Sequence, residues 1–129
     1  MTDEIKKLRL DALKVLGVDV LPPGSWDYLP DPGIPWAALD RCGTITLWSE
    51  TGGRCEVWEP DLNFRQAQRV AEKVAREKVG AAPELWWEFT ETGKFRCCAR
   101  IGCSGTQCRA DDPAEALLRV ALAAWEVKE

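Results

Sequence analysis

Residues 84–125 read ELWWEFTETGKFRCCARIGCSGTQCRADDPAEALLRVALAAW, and this stretch decides the fold. Its end is a helix with written punctuation. Asp112 is a capping residue, Pro113 suits the first helical position, and Glu115 completes a capping box. Ala114, Leu117, Leu118, Ala121, Leu122 and Trp125 then recur at helical spacing. Before it come three β-favouring runs, 84–90, 95–101 and 106–110, separated by turns at Thr92-Gly93 and at 102–105. The Trp86-Trp87 pair presents one ring to each face of the first strand. A three-strand meander closed by a helix is the expectation.

Working toward the N-terminus, Gly80 to Pro83 reads as a linker, and residues 62–79 as a helix capped by Asp61 or Asn63. Ala67, Val70, Ala71 and Val74, extended by Val79, form its buried stripe, while Arg65, Arg69, Lys73 and Arg76 recur along another face. Thr44 to Trp48 and Arg54 to Trp58 are β-favouring runs joined through Gly52-Gly53, a hairpin pattern. Thr2 to Leu16 is an amphipathic helix with Gly17 at its end. Between them, Gly17 to Asp40 holds Pro22, Pro23, Pro30, Pro32 and Pro35 and reads as one long loop. The predicted architecture is a single α+β domain over residues 1–129. One antiparallel sheet, hairpin plus three-strand meander, is covered by three helices, with 17–40 as a Pro-rich loop.

Composition narrows the chemistry. The chain has 129 residues, 46% hydrophobic and 29% charged, enough apolar surface for one folded domain. Histidine is absent, which removes Ser-His-Asp and Cys-His catalysis and the commonest metal ligand. Glu56, Glu59 and Asp61, and Glu84, Glu88 and Glu91, form no readable acid–base pair. Gly102-Cys103-Ser104-Gly105 lacks the lysine of a phosphate loop. No enzyme, cofactor or metal is expected. The net charge of −4 argues against nucleic acid. The α-β-β-β-α order of 62–126 matches a double-stranded RNA-binding domain, but Asp111, Asp112 and Glu115 stand where such a module carries phosphate-gripping lysines. No run approaches a membrane span, and Met1 to Leu10 lacks the apolar core of a signal peptide.

Six cysteines leave alternatives open. Cys97, Cys98, Cys103 and Cys108 crowd together without a CxxC knuckle. They read as free or structural thiols, a metal site or a disulfide, and Cys97 and Cys98 point to opposite faces of any strand. Cys42 and Cys55 flank the first hairpin and meet only if the register brings them together.

Seven tryptophans are the positive anomaly. Trp26, Tyr28 and Trp36 fall in the Pro-rich stretch, where aromatics either tack a loop to the core or line a binding surface. Together with Arg65, Arg69 and Arg76 on the helix, they are the candidate ligand- or partner-binding residues. A protein partner calls for an exposed apolar aromatic patch. A small ligand calls for a closed concave site, one that a homo-oligomer can form at a subunit interface.

Trp58-Glu59-Pro60-Asp61-Leu62-Asn63 leads into a helix with Ala67, Val70, Ala71, Glu72, Lys73 and Val74. A Trp-rich strand follows, and Asp111-Asp112-Pro113-Ala114-Glu115-Ala116 opens the last helix. This resembles the small bacteriophage proteins of the phage ABA-sandwich domain family over residues 1–16 and 57–125. The Pro-rich stretch and the cysteine cluster depart from that pattern. The resemblance implies a phage accessory protein in the host cytoplasm, without catalytic residues, that binds and occludes or sequesters a host defence protein or its small nucleotide-like signal. The alternative is a structural or DNA-metabolism accessory subunit of a phage assembly.

Overall fold

The computed structural model describes residues 3–21, 36–48, 55–102 and 107–126. The chain divides into two compact units, Met1–Glu59 and Pro60–Glu129.

The first unit begins with α1 (Asp3–Leu16), which buries Ala12, Leu13 and Val15 and ends at Gly17 with φ +73°. Strands β1 (Asp19–Leu21), β2 (Trp36–Leu39), β3 (Ile45–Trp48) and β4 (Cys55–Val57) follow, forming a sheet in that spatial order. β1 runs parallel to β2, and the other two pairings are antiparallel. Asp40 makes the β2–β3 turn: its carboxylate accepts the N–H groups of Cys42 and Thr44, both at 2.9 Å. Gly43 supplies the positive φ of +88° that the three-residue loop demands. Ala37, Ala38, Ile45 and Leu47 are buried. Trp58 anchors the unit. Its side chain is wholly buried and its indole N–H donates to the Arg9 carbonyl at 3.0 Å.

The second unit runs α2 (Phe64–Val74), a π-helical turn (Ala75–Val79), β5 (Pro83–Phe89), β6 (Phe95–Ile101), β7 (Gln107–Ala110) and α3 (Pro113–Glu126). Asn63 caps α2, accepting the Gln66 N–H at 3.2 Å. The Gly80 N–H reaches back five residues to the Ala75 carbonyl at 2.6 Å and closes the π turn. β5, β6 and β7 form an antiparallel meander in sequence order. The 90–94 turn repeats the 40–44 design, with Thr90 in place of Asp40 and Gly93 at φ +81°. Asp112 accepts the Ala114 N–H at 2.8 Å and opens α3 as its sequence demands. α3 packs against α2 and against β6 and β7. Ala116 and Val120 are therefore buried as well as Ala114, Leu117, Leu118 and Ala121, more than one amphipathic stripe would cover.

The expected single antiparallel sheet is overturned. The strands form two sheets, one mixed with four strands and one antiparallel with three. The two added strands, β1 and β2, come from the 17–40 stretch expected to be loop throughout. The prolines at 22, 23, 30, 32 and 35 all fall outside them, so no strand position loses a ladder hydrogen bond. The hairpin then pairs with β2 and leaves the meander as a sheet of its own. No described helix is long and apolar enough to cross a membrane.

Candidate functional site

In an antiparallel ladder, residues directly opposite share a face. Leu85, Trp87 and Phe89 of β5 therefore lie on the same face as Ala99, Cys97 and Phe95 of β6 and Cys108 and Ala110 of β7. α3 lies over β6 and β7 and touches β5 least. The consequence is a divided face. Cys97, Ala99, Ile101 and Ala110 are buried, whereas Leu85 is 38%, Trp87 54%, Phe95 60% and Phe89 70% exposed.

The exposed residues form a cluster. Phe89 and Phe95 lie with ring centroids 4.2 Å apart, and Phe95 meets Trp87 edge-on at 6.3 Å. The edge-on contact suits the aromatic quadrupole. A contiguous apolar patch left in water mostly marks an interaction surface.

The other face of the same sheet is a charged layer around Trp86, which is half-buried. Its indole N–H donates to Glu88 at 3.0 Å. Arg109 reaches the same carboxylate at 3.5 Å, Arg100 pairs with Glu84, and the Arg100 guanidinium lies 5.8 Å from the Trp86 ring centre. Hydrogen bonds from Trp86 and then Cys98 hold the Glu88 carboxyl below its ordinary value, with Arg109 adding to the effect and partial burial opposing it. Glu84 and Glu88 are thus tied inward, toward β6 and β7.

Each predicted site residue has a definite outcome. Trp26 and Tyr28 lie outside the described residues. Trp36 opens β2 and stacks on Trp48 directly opposite, centroids 5.3 Å apart and planes 10° apart. The Trp48 indole N–H is buried and has no hydrogen-bond partner among the described residues. Arg65 and Arg69 are exposed on α2, and Arg76 is exposed in the π-helical turn, where it pairs with Glu72 at 3.6 Å. Trp36 belongs to the first unit and the three arginines to the second. The sequence reading missed Leu85, Phe89 and Phe95. The signal was there in the alternation of 84–89, but nothing local says which face α3 leaves bare.

Two open hollows lie in the second unit. One of about 540 Å³ is bounded by Glu72, Ala75, Arg76, Gly80 and Pro83. Another of about 670 Å³ lies beside the charged layer, bounded by Glu88, Thr90, Lys94, Arg96, Arg109 and Asp111. Basic and acidic groups alternate around the second, so it offers no net attraction to an anion.

The cysteines resolve in part. Cys97 and Cys98 point to opposite faces of β6 and are both buried. Burial pushes the Cys97 thiol up, with Cys98 and Asp112 adding, and burial raises Cys108 against the pull of Arg119. Cys42, Cys97, Cys98 and Cys108 are free thiols, and Cys103 lies outside the described residues. Cys42 is in the turn before β3 and Cys55 pairs with Trp48 at its far end, so the register separates them. Among the described residues, no group of three or more His, Cys, Asp or Glu converges to hold a metal.

No protein-family model, no curated protein and no solved structure matches the chain.

Proposed function

We propose that this is a non-enzymatic binding protein that occludes a protein partner through the aromatic cluster of β5 and β6. The exposed group Leu85, Trp87, Phe89 and Phe95 carries the reading. Such a patch is the surface a protein partner needs, since aromatic side chains supply most of the energy at the centre of an interface. The two hollows described in the second unit are open, which favours a protein over a sequestered small ligand. The resemblance to phage accessory proteins would make the partner a host defence component met in the host cytoplasm.

The test compares the full chain with a Trp87→Ser, Phe89→Ser variant. Each is crosslinked in host extract, and its own native mass is measured. The wild type is expected to capture one defined protein that the variant loses, with both chains folded alike. Equal capture by the two would sink the assignment of this surface. A nucleotide-like mass retained through purification would replace occlusion by sequestration of a signal.

A further inference from the structure

β5 is an outer strand of its sheet over all seven of its residues, Pro83–Phe89. Among the described residues no strand pairs with its other edge, which presents backbone N–H and C=O groups to any strand that can approach. Proteins commonly guard such an edge with an interior proline, a bulge or an outward lysine. β5 has none of these: its proline is at the first position, and its pairing with β6 is continuous from Pro83 to Phe89. Its only charges, Glu84 and Glu88, lean toward Arg100 on β6 and Arg109 on β7, and their side chains stay 60% and 43% exposed.

The two faces of this edge differ in chemistry. Leu85, Trp87 and Phe89 offer an apolar row on one side, and Glu84, Trp86 and Glu88 an acidic and aromatic row on the other. The arginines of this face, Arg96 and Arg100 on β6 and Arg109 on β7, sit one and two strands away, so the edge strand itself carries acid and no base. An incoming strand meets these rows with alternate side chains. Apolar residues would cover the cluster, and basic residues would face Glu84 and Glu88 with Trp86 between them as a cation–π platform. A second copy of β5 would instead bring its own Glu84 and Glu88 to the seam and line up four carboxylates there.

We propose that the partner enters as an extended segment of alternating apolar and basic residues that pairs with β5 as a fourth strand. This rests on the protein-binding reading above and adds the mode of recognition, in which main-chain hydrogen bonds give affinity and the two side-chain rows give selectivity.

The test uses the full chain and three synthetic peptides: alternating Val and Lys, alternating Val and Glu, and the Val/Lys peptide N-methylated on one edge. The Val/Lys peptide is expected to bind about tenfold or more tighter than the Val/Glu peptide. It should also slow amide exchange across 83–89, and lose binding on N-methylation. Glu84→Lys should reverse the preference between the two charged peptides. Equal binding of the parent and N-methylated peptides overturns strand addition while leaving the aromatic surface in place. Loss of that surface as the partner site shows separately, as partner capture that survives Trp87→Ser, Phe89→Ser. Failure of every peptide to bind overturns the proposal. So does a chain that is dimeric by light scattering and becomes monomeric on Trp87→Ser, because a second copy then holds the edge.

Discussion

Phe89 and Phe95 stand directly opposite each other at the mouth of the β5–β6 hairpin, with ring centroids 4.2 Å apart and planes inclined by 30°. Each ring is more than half exposed, so the contact is an aromatic pair in water rather than a piece of core. Such a pair contributes about 0.5–1.5 kcal/mol beyond its buried area. Phe89→Ser should therefore cost about 1 kcal/mol in denaturant unfolding while weakening partner binding much more. A loss of several kcal/mol with binding intact would show that the ring serves the fold.

Trp58 presents the opposite case. It is wholly buried and its indole N–H is bonded to the Arg9 carbonyl. Trp58→Ala should cost about 3–5 kcal/mol through the cavity it leaves. Trp58→Phe keeps most of the volume and removes only the indole hydrogen bond, a cost of about 0.5–1.5 kcal/mol. Urea unfolding of the two variants separates packing from the hydrogen bond, and equal losses would contradict this division.

The two helix caps of the second unit should each be worth about 1 kcal/mol. Asn63→Ala removes the acceptor for the Gln66 N–H, and Asp112→Ala the acceptor for the Ala114 N–H. Thermal melts of both variants should show small, similar decreases, and an unchanged melt would mean the caps are replaced by water at no cost.

Acid should loosen the charged layer in a defined window. The folded-state value of Glu88 lies below the ordinary 4.5 because the ionised carboxylate is the form that Trp86, Cys98 and Arg109 favour. A carboxylate depressed on folding stabilises the chain fully above its unfolded value and loses that contribution as pH falls through the folded one. Carbon-detected NMR titration of Glu88 should place its midpoint below 4.5, and Trp86→Phe should move it upward. A midpoint that does not respond to Trp86→Phe would remove the indole as the main cause.

Thiol labelling should sort the described cysteines by burial. Cys42 is exposed, whereas Cys97 is buried and its thiol is pushed up. The thiolate is the reactive form. Iodoacetamide at mildly alkaline pH should modify Cys42 in the folded chain well before Cys97, as read by peptide mass spectrometry. Equal rates would mean that β6 opens on the labelling timescale.

Local chemistry explains how much of this was legible in the sequence. α3 could be read almost to the residue, because Asp112, Pro113 and Glu115 act within one turn of the atoms they satisfy. The β3–β4 pair and the meander could be read from alternation and turn residues for the same reason. β1 and β2 could not. Three residues, Asp19–Leu21, are too few to show a period, and Trp36–Leu39 has no polar–apolar alternation. Their pairing is parallel and joins segments far apart in the chain, which no local window contains. The Asp40–Gly43 turn was the overlooked signal, an Asx turn closed by glycine beside a proline-dense run. At the site, one ring to each face was readable for Trp86 and Trp87. The bareness of Trp87 was not, because it depends on where α3 comes to rest.

The π turn at the end of α2 holds one more residue than an α-helical path of the same rise. Upstream of it, Ala67, Val70, Ala71 and Val74 keep one unbroken helical phase. Toward the end of the turn itself, Lys78 lies 5.0 Å above the Trp125 ring. The turn therefore works as a phase adjuster between two fixed contacts. Removing a single residue from 75–79 would let a regular helix span the same rise and keep the chain after it in phase, whereas removing one from the regular helix at 64–74 would rotate everything after it by about 100°. After the second deletion Lys78 would swing off Trp125, and β5 would have to start from a different side of the helix. The chain's tolerance for length changes at this point is thus set by a lysine and a tryptophan that are far apart in sequence.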